Sequence, residues 1–329
     1  MHGRILITHS SNFQFLLFTF LVLLLPVSTF GKDLFNGDLR LEIGRMHGNT
    51  SSQIGGEYQT ESGEEGNLRF PYSKIELPLN LYIGSITASF TFFEGVVINM
   101  NYTQALNDDA GKVKGYEWGY YHANGLSNAD ADSLDIYYEG NAQAKSVILA
   151  DISVGYSMLA EKHFLINAEV GIKSQEFIFE GTNRVQEYPS SSSYFGEEFA
   201  DEKSKGKFLE YDVKYTMPYI SVGGRYLEAN IRFIFNLTYS PVTKAIDNTK
   251  FILEDKTSRG ECEGYMAHGT LSFDYFFNQI WFASFTSSYL GIVTKGNQKQ
   301  SISGVDTVTI EQKITSEQAS ALLSIGAGF

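Results

Sequence analysis

The sequence predicts an all-β protein, a single transmembrane antiparallel β-barrel of about ten strands with short periplasmic turns and long extracellular loops. Three observations predict this fold. Segments of ten or more residues alternate apolar and polar side chains. The connections between these segments are alternately short and long, and the last segment ends with the aromatic residue Phe329. Alternation gives a strand one apolar and one polar face, and connections that are short at one end and long at the other are typical of bacterial outer-membrane barrels.

The composition supports a β-rich, exported protein. Aromatic residues are mostly Tyr (20) and Phe (25), and 31 glycines against 6 prolines suit strands and tight turns. A formal net charge of −13 argues against nucleic acid as a partner and favours basic peptides or cations. Cys262 is the single cysteine, so an internal disulfide is excluded.

The N-terminal residues predict a secretory signal peptide. Arg4 is the one basic residue before an almost continuous apolar run, 13–27, and small residues follow up to Gly31. The apolar run is short for a membrane helix of about twenty residues, which disfavours the alternative of a retained anchor. We expect residues 1–31 to be the signal peptide and residues 32–329 to form the barrel.

The alternation is clearest in residues 231–240, where Ile, Phe, Phe, Leu and Tyr occupy the odd positions and mostly polar residues the even ones. A secreted β-sandwich would also alternate, but the hairpin asymmetry and the terminal Phe329 favour a barrel in lipid. The ten predicted strands are 36–47, 72–92, 96–106, 143–159, 164–180, 208–226, 231–242, 257–276, 280–294 and 309–329.

The connections are predicted to differ in length at the two ends of the barrel. Tight turns are expected near 94–95, 160–163, 228–230 and 278–279. Long loops are expected over 48–71, 107–142, 181–207, 243–256 and 295–308. An even number of strands with both termini in the periplasm puts all five long loops outside.

One strand is distinctive. The run YDVKYTMPYISVGGRY, Tyr211 to Tyr226, resembles the sixth strand of the omptins, which are ten-stranded outer-membrane proteases. Ile43-Gly44 with Gly48 and Thr50, Trp118, and Asp247-Asn248 also match the family pattern. We expect Pro218 to mark a bulge, because it removes one backbone donor from a paired strand.

The resemblance implies a catalytic arrangement that this chain has lost in part. Omptins activate a water between an Asp-His pair and two facing Asp residues, and cleave peptides beside basic residues. The paired Asp and His fall on Thr249 and Phe251, and the facing acids fall on Gly115 and Glu117. Phenylalanine cannot accept a proton, so the general base is missing. His122, a few residues past Glu117, is the alternative histidine.

Other positions bear on binding. The resemblance implies that Asp247 lines a pocket for a basic side chain, whose second acid falls on Ser52. Tyr120 and Trp118 are further binding candidates, since aromatic rings beside acids hold cations.

Outer-membrane lipid is an expected partner, but the usual lipopolysaccharide contacts of the family fall on Ser174 and Glu176. Lys214 alone keeps the basic character of such a contact. We expect no cofactor and no metal site.

We therefore expect an outer-membrane barrel on an omptin-like scaffold that is non-proteolytic and acts in surface binding, adhesion or limited permeation. Two alternatives stay open. One is an endopeptidase with a rearranged site of Glu117, His122 and Asp247, and the other is a small porin.

Overall fold

The computed structural model describes residues 35–92, 95–120, 132–161, 163–189 and 205–329. The predicted signal peptide and His122 lie outside them. The twelve strands are β1 (Phe35–Thr60), β2 (Glu65–Pro78), β3 (Leu81–Phe92), β4 (Val96–Ala105), β5 (Asp109–Trp118), β6 (Leu134–Ala160), β7 (Phe164–Glu187), β8 (Lys207–Glu228), β9 (Ile231–Phe251), β10 (Lys256–Phe276), β11 (Trp281–Ile302) and β12 (Val305–Gly328). In the described part of the chain, no helix is long and apolar enough to cross a membrane.

The strands form one antiparallel sheet that closes on itself, because β12 pairs with β1. At the lower, periplasmic end the ring runs through β1, β3, β4 and β6 to β12. At the upper end β2 and β5 replace β3 and β4 between β1 and β6. Each ring therefore has ten strands, as predicted. The predicted strand 72–92 is interrupted at residues 79–80, and the predicted loop 107–142 contains the additional strand β5.

The switch between the two rings occurs at one level of β1. Met46 is the last residue paired with β3, and Asn49 is paired with Pro78 at the end of β2. The Leu79 amide bridges the break by donating to the Gly48 carbonyl at 2.9 Å. Gly48 has φ +147°, and an added Cβ would lie 1.9 Å from the Glu317 carbonyl oxygen, so only glycine allows this approach.

The loop boundaries predicted from the sequence are wrong. Most residues of 48–71, 107–142, 243–256 and 295–308 belong to strands, and β7 extends to Glu187 within 181–207. Three of the upper connections are only 61–64, 252–255 and 303–304. Strands such as β6, with 27 residues, far exceed the roughly 9–11 that a tilted strand needs to cross a bilayer. Above the membrane the outer face of the barrel contacts water. The alternation of apolar and polar side chains therefore stops there, although the strands remain paired.

An apolar belt on the outer face marks the membrane. Large apolar side chains that point outward are exposed along the lower strands, for example Ile152, Val154, Ile220, Leu237 and Leu323. On β9 the belt ends at Val242, and the exposed outward residues above it are the polar Lys244, Asn248 and Lys250. The structure therefore crosses the membrane with its lower half and extends into the exterior with its upper half.

The interior is layered along the barrel axis. At the periplasmic end, Arg40 and Arg232 form ion pairs with Asp38 and Asp274, with N–O distances of 2.6–3.3 Å. A polar cavity of about 330 Å³ lies above this network. Buried apolar side chains then fill the lumen, including Met46, Leu79, Leu81, Tyr215, Met217, Met266, Leu290 and Ile314. The four charged groups of the periplasmic network are paired with one another, as expected for buried charges.

In the strand that carries the family resemblance, period-two alternation predicts that Ile220 and Val222 face lipid and that Tyr219 and Ser221 face inward. Tyr219 and Ser221 are buried inside, and Ile220 and Val222 are exposed on the outer face. Pro218 pairs with Ile172 of β7, whereas the register with β9 shifts between Thr216 and Ile220. The predicted bulge at Pro218 is confirmed, and it lies in the pairing of β8 with β9.

We predict that Gly48→Ala destabilises the barrel by roughly 2 kcal/mol or more, because the new methyl group collides with the backbone of β12. Urea unfolding in lipid vesicles measures the change. Gly269→Ala is the matched control, since its added Cβ would meet its nearest atom, in Leu237, at 3.7 Å. Equal stability of the two variants would contradict the proposed steric limit at β1.

Candidate functional site

We call the extracellular end of the lumen, above the apolar layer, the cleft. The ends of β5 and β6 form one wall, and the ends of β9 and β10 form the facing wall. Glu117 and Tyr138 lie on the first wall, and Phe251 and Lys256 on the second. At this level β5 and β9 end, and β6 and β10 begin, so the wall positions come from residues far apart in sequence.

The wall formed by β9 has no acid-base pair. Thr249 is buried and lies beside Tyr211 on β8 and Ser258 on β10. Phe251 is half-buried, and the Lys256 ammonium nitrogen lies 4.8 Å from its ring centroid. The aromatic ring thus holds a cation and has no lone pair with which to take a proton from water.

On the wall formed by β5 and β6, a tyrosine ring fills the space above Gly115. This glycine pairs with Ile75 on β2 and with Tyr138 on β6. An added Cβ would lie 1.9 Å from the Tyr138 ring, which occupies the space above the glycine. The ring is held in place by Phe208, edge-on at 5.8 Å, and by the Arg184 guanidinium 4.8 Å from its centroid. A carboxylate at position 115 therefore requires Tyr138 to move.

Glu117 is the acid that remains on this wall. Its side chain is half-buried and has no hydrogen bond or ion pair with any described residue. Lys256 and Arg184 act on it electrostatically, but neither forms an ion pair with it. Burial is the largest effect and raises the pKa of Glu117, and the nearby charges of Glu254 and Asp135 raise it further.

Asp247 lies below the cleft and is fully buried. The Gln312 amide nitrogen donates to its Oδ2 at 2.9 Å and to the Ser52 hydroxyl at 2.8 Å. Gly260 leaves room for this amide, because an added Cβ would lie 1.8 Å from Gln312 Oε1. The structure thus brings Asp247 and Ser52 together, with Gln312 filling the space between them.

The Gln312 contact does not satisfy the carboxylate completely. Asp247 Oδ1 and the Tyr211 hydroxyl are both buried without a hydrogen-bond partner among the described residues. Burial raises the pKa of Asp247 to about 6, and the hydrogen bond from Gln312 opposes this rise. A basic side chain could reach Asp247 only by displacing Gln312.

Several predicted candidates lie outside the cleft. Trp118 faces the outer surface, where it stacks on Tyr116 at 5.7 Å and the Arg69 guanidinium lies 5.2 Å from its ring centroid. Tyr120 follows β5 at the rim and is exposed. Ser174, Glu176 and Lys214 lie on the outer wall, with Glu176 directly opposite Lys214.

The described histidines also lie away from the cleft. His47 is exposed on the outer face beside Asn80, His163 lies in a periplasmic turn, and His268 lines the cavity within the membrane. No group of three or more His, Cys, Asp or Glu side chains among the described residues could hold a metal ion. Within this part of the chain, the cleft therefore has no histidine to act as a base.

Sequence reasoning missed Tyr138 and Gln312, the two residues that fill the cleft positions. Tyr138 is 23 positions from Gly115, and Gln312 is 65 positions from Asp247. Neither carries a local motif. Only the pairing of β5 with β6 and the proximity of β12 to β9 across the lumen reveal their roles.

We predict that Gly115→Ala lowers the unfolding free energy by roughly 1–3 kcal/mol in the wild type and much less in a Tyr138→Ala background. Removing the ring frees the space that the new methyl group needs. A double-mutant cycle by urea unfolding measures the coupling. Gly291→Ala is the control, because its added Cβ has open space around it. A purely additive cycle would show that Tyr138 does not block position 115.

We predict that Asp247→Asn raises stability at pH 8 by roughly 3 kcal/mol and leaves it unchanged below pH 4. The pKa of Asp247 is raised on folding from 3.8 to about 6. The folded state therefore binds the proton more tightly, and the unfolding free energy falls as pH rises through this range. Comparing wild type and variant by urea unfolding at several pH values isolates this group. A stability loss at pH 8 would contradict the assignment.

Comparisons with known proteins identify a family and a fold. Residues 79–329 match the model of the Omptin family. The outer membrane protease OmpT from Escherichia coli superimposes with a TM-score of 0.73 at 14% identity, covering 92% of this chain and 98% of that one. The outer membrane protein OprG from Pseudomonas aeruginosa gives a TM-score of 0.36 at 10% identity, covering 89% and 96%.

A search of curated proteins finds no match. The likeness to OmpT shows the fold alone at this identity, and the family match covers most of the chain. The chain therefore belongs to the omptin family and is an outer-membrane β-barrel protein of a Gram-negative bacterium.

Proposed function

We propose that this omptin-family barrel is a non-proteolytic surface protein that binds ligands in its extracellular cleft. One observation carries the proposal. Among the described residues, both walls lack the groups that activate water, since Phe251 under Lys256 replaces the base and Tyr138 covers Gly115. Peptide hydrolysis needs a positioned base and a charge arrangement that holds the water, and these residues provide neither.

The remaining acids do not rebuild a catalytic pair. Asp247 is sealed by Gln312 beneath the cleft, and Glu117 has no histidine partner among the described residues. A rearranged endopeptidase would have to combine them with His122, which lies outside the described residues. The closed position of Asp247 argues against that combination, because a buried carboxylate behind a side chain cannot reach a substrate's water.

A pore receives less support than a binding site. The buried apolar layer around Met217, Met266 and Leu290 lies between the membrane cavity and the cleft. An ion or solute would have to cross this layer without polar partners, which is costly. Above it the cleft presents charged and aromatic side chains to the exterior, which favours surface binding over permeation.

The test is a cleavage assay with the folded mature chain in detergent containing lipopolysaccharide. Fluorogenic peptides with paired basic residues should show no cleavage above the buffer rate, whereas OmpT in the same micelles serves as the active control. Cleavage that Glu117→Gln or His122→Ala abolishes would overturn the proposal. Planar bilayers provide the second readout, and reproducible single-channel steps would instead support a porin.

A further inference from the structure

Arg225 is a charged side chain near the periplasmic end of the lumen, far from the cleft. It lies on the inner face of β8, is half-buried and lines the polar cavity. Its guanidinium group has no hydrogen bond or ion pair with any described residue. A cation that loses hydration is normally compensated by a negative group or by acceptors. The position of Arg225 therefore favours a negative group supplied from outside.

Strand register places Arg225 beside the periplasmic network. Arg225 pairs with Ile234 of β9, and Leu227 pairs with Arg232, so the two arginines occupy diagonal positions on the inner faces of neighbouring strands. Diagonal positions are about 7–8 Å apart, which two long side chains easily span. Arg40 of the network lines the same cavity as Arg225. Arg225 is therefore a further charged group at this network.

Arg232 has a donor that the network does not use. Its Nε donates to Asp274 Oδ2 at 2.6 Å, and its Nη1 donates to Asp38 Oδ2 at 3.1 Å. Its Nη2 is buried and has no hydrogen-bond partner among the described residues. The rings of Phe276 and Phe282, each with its centroid 5.0 Å from the guanidinium carbon, supply no oxygen acceptor. Buried polar atoms normally have a partner, so this donor lacks an acceptor.

The charges at this end of the lumen do not balance within the described chain. Two aspartates face three arginines, because Arg225 adds to the paired groups of the network. All three nitrogens of Arg40 already donate to Asp38 or Asp274. One positive charge is left over, and a single monoanion neutralises it.

The other acids of the cavity have partners of their own. Asp151 forms an ion pair with Lys173 at 2.7 Å. Glu42 and Glu169 accept hydrogen bonds from neutral hydroxyl groups at 2.7 and 2.6 Å. Among the described residues, none of these acids forms a hydrogen bond or ion pair with Arg225. They therefore do not supply the missing negative group.

We propose that Arg225 and Arg232 bind a small monocarboxylate at the periplasmic end of the lumen. The planar guanidinium of Arg225 presents paired donors that match the two carboxylate oxygens, and the free Nη2 of Arg232 donates to one of them. Arg225 is long and partly exposed, so it turns to admit the anion. The apolar layer separates this site from the cleft, so the ligand arrives from the periplasm. The site is independent of the proposed function, because it lies at the opposite end of the barrel.

The experiment is a titration of the full mature chain with ¹³C-labelled acetate in a non-ionic detergent at pH 7.5. Sodium chloride keeps the ionic strength constant, and broadening of the acetate resonance reports binding. We expect a dissociation constant of about 1–10 mM for a single carboxylate held by two guanidinium groups. Arg225→Met should weaken binding about tenfold or more. Arg225→Lys should weaken it severalfold, because an ammonium group keeps the charge but lacks the planar pair of donors.

Arg45→Met is the matched control. Arg45 also lies on a lower strand, but it is exposed on the outer face, where its guanidinium carbon lies 5.8 Å from the Tyr82 ring centroid. This variant loses the same charge outside the lumen and should bind acetate like the wild type. Heat-dependent migration on gels verifies that each variant is folded.

Urea unfolding in lipid vesicles gives a second readout. Without acetate, Arg225→Met should be at least as stable as the wild type, because it removes an uncompensated charge. Acetate at about 100 mM should raise the unfolding midpoint of the wild type and of Arg45→Met, but not that of Arg225→Met, since a ligand stabilises only the state that binds it.

Three outcomes would overturn the carboxylate site. They are equal acetate affinity of wild type and Arg225→Met, no acetate binding up to about 100 mM, and tighter binding of inorganic phosphate than of acetate. The last would show that the site prefers a dianion, against the single excess charge. Peptide cleavage in the assay described above would overturn the proposed function and leave this site standing.

Discussion

The structure depends on the closure of one sheet, in which β12 pairs with β1 along 21 residue pairs. Inside a bilayer no water is available to backbone N–H and C=O groups, so an open edge would leave them unsatisfied at a high free-energy cost. Closure removes both edges. It also fixes which side chains point into the lumen, and every interior contact described above follows from that orientation.

The closed sheet of ten strands encloses a narrow lumen, and this narrowness explains why the interior is divided into layers along the barrel axis. Ten strands leave little more space than side chains fill, so the lumen is packed where apolar residues meet and holds a cavity where shorter polar residues line it. The apolar layer separates the membrane part from the exterior part. Because the upper ring replaces β3 and β4 by β2 and β5, the cleft above this layer is shaped by different strands from those that shape the cavity below.

The cleft shows how a shared scaffold can carry altered chemistry. Function resides in a few side chains placed on a fold, and the fold persists when they change. Here the altered positions are stabilised by their surroundings. Tyr138 is packed between Phe208 and Arg184, and Gln312 bridges Asp247 and Ser52, so the replacement residues are integrated into the packing of the upper barrel.

The sequence by itself determined the barrel, its ten strands, the orientation of the strand around Pro218 and the residues at positions 115, 117, 249 and 251. These are local properties, because strand alternation and residue identity are readable without knowing any neighbour. The sequence did not predict how far the strands continue above the membrane, since a strand whose outer side faces water has no apolar outer face. The tertiary structure alone decided that Trp118 faces outward, that Tyr138 covers Gly115 and that Gln312 closes the Asp247 pocket. Those facts follow from strand register and contacts across the lumen, which join residues too distant in sequence for any local pattern to connect.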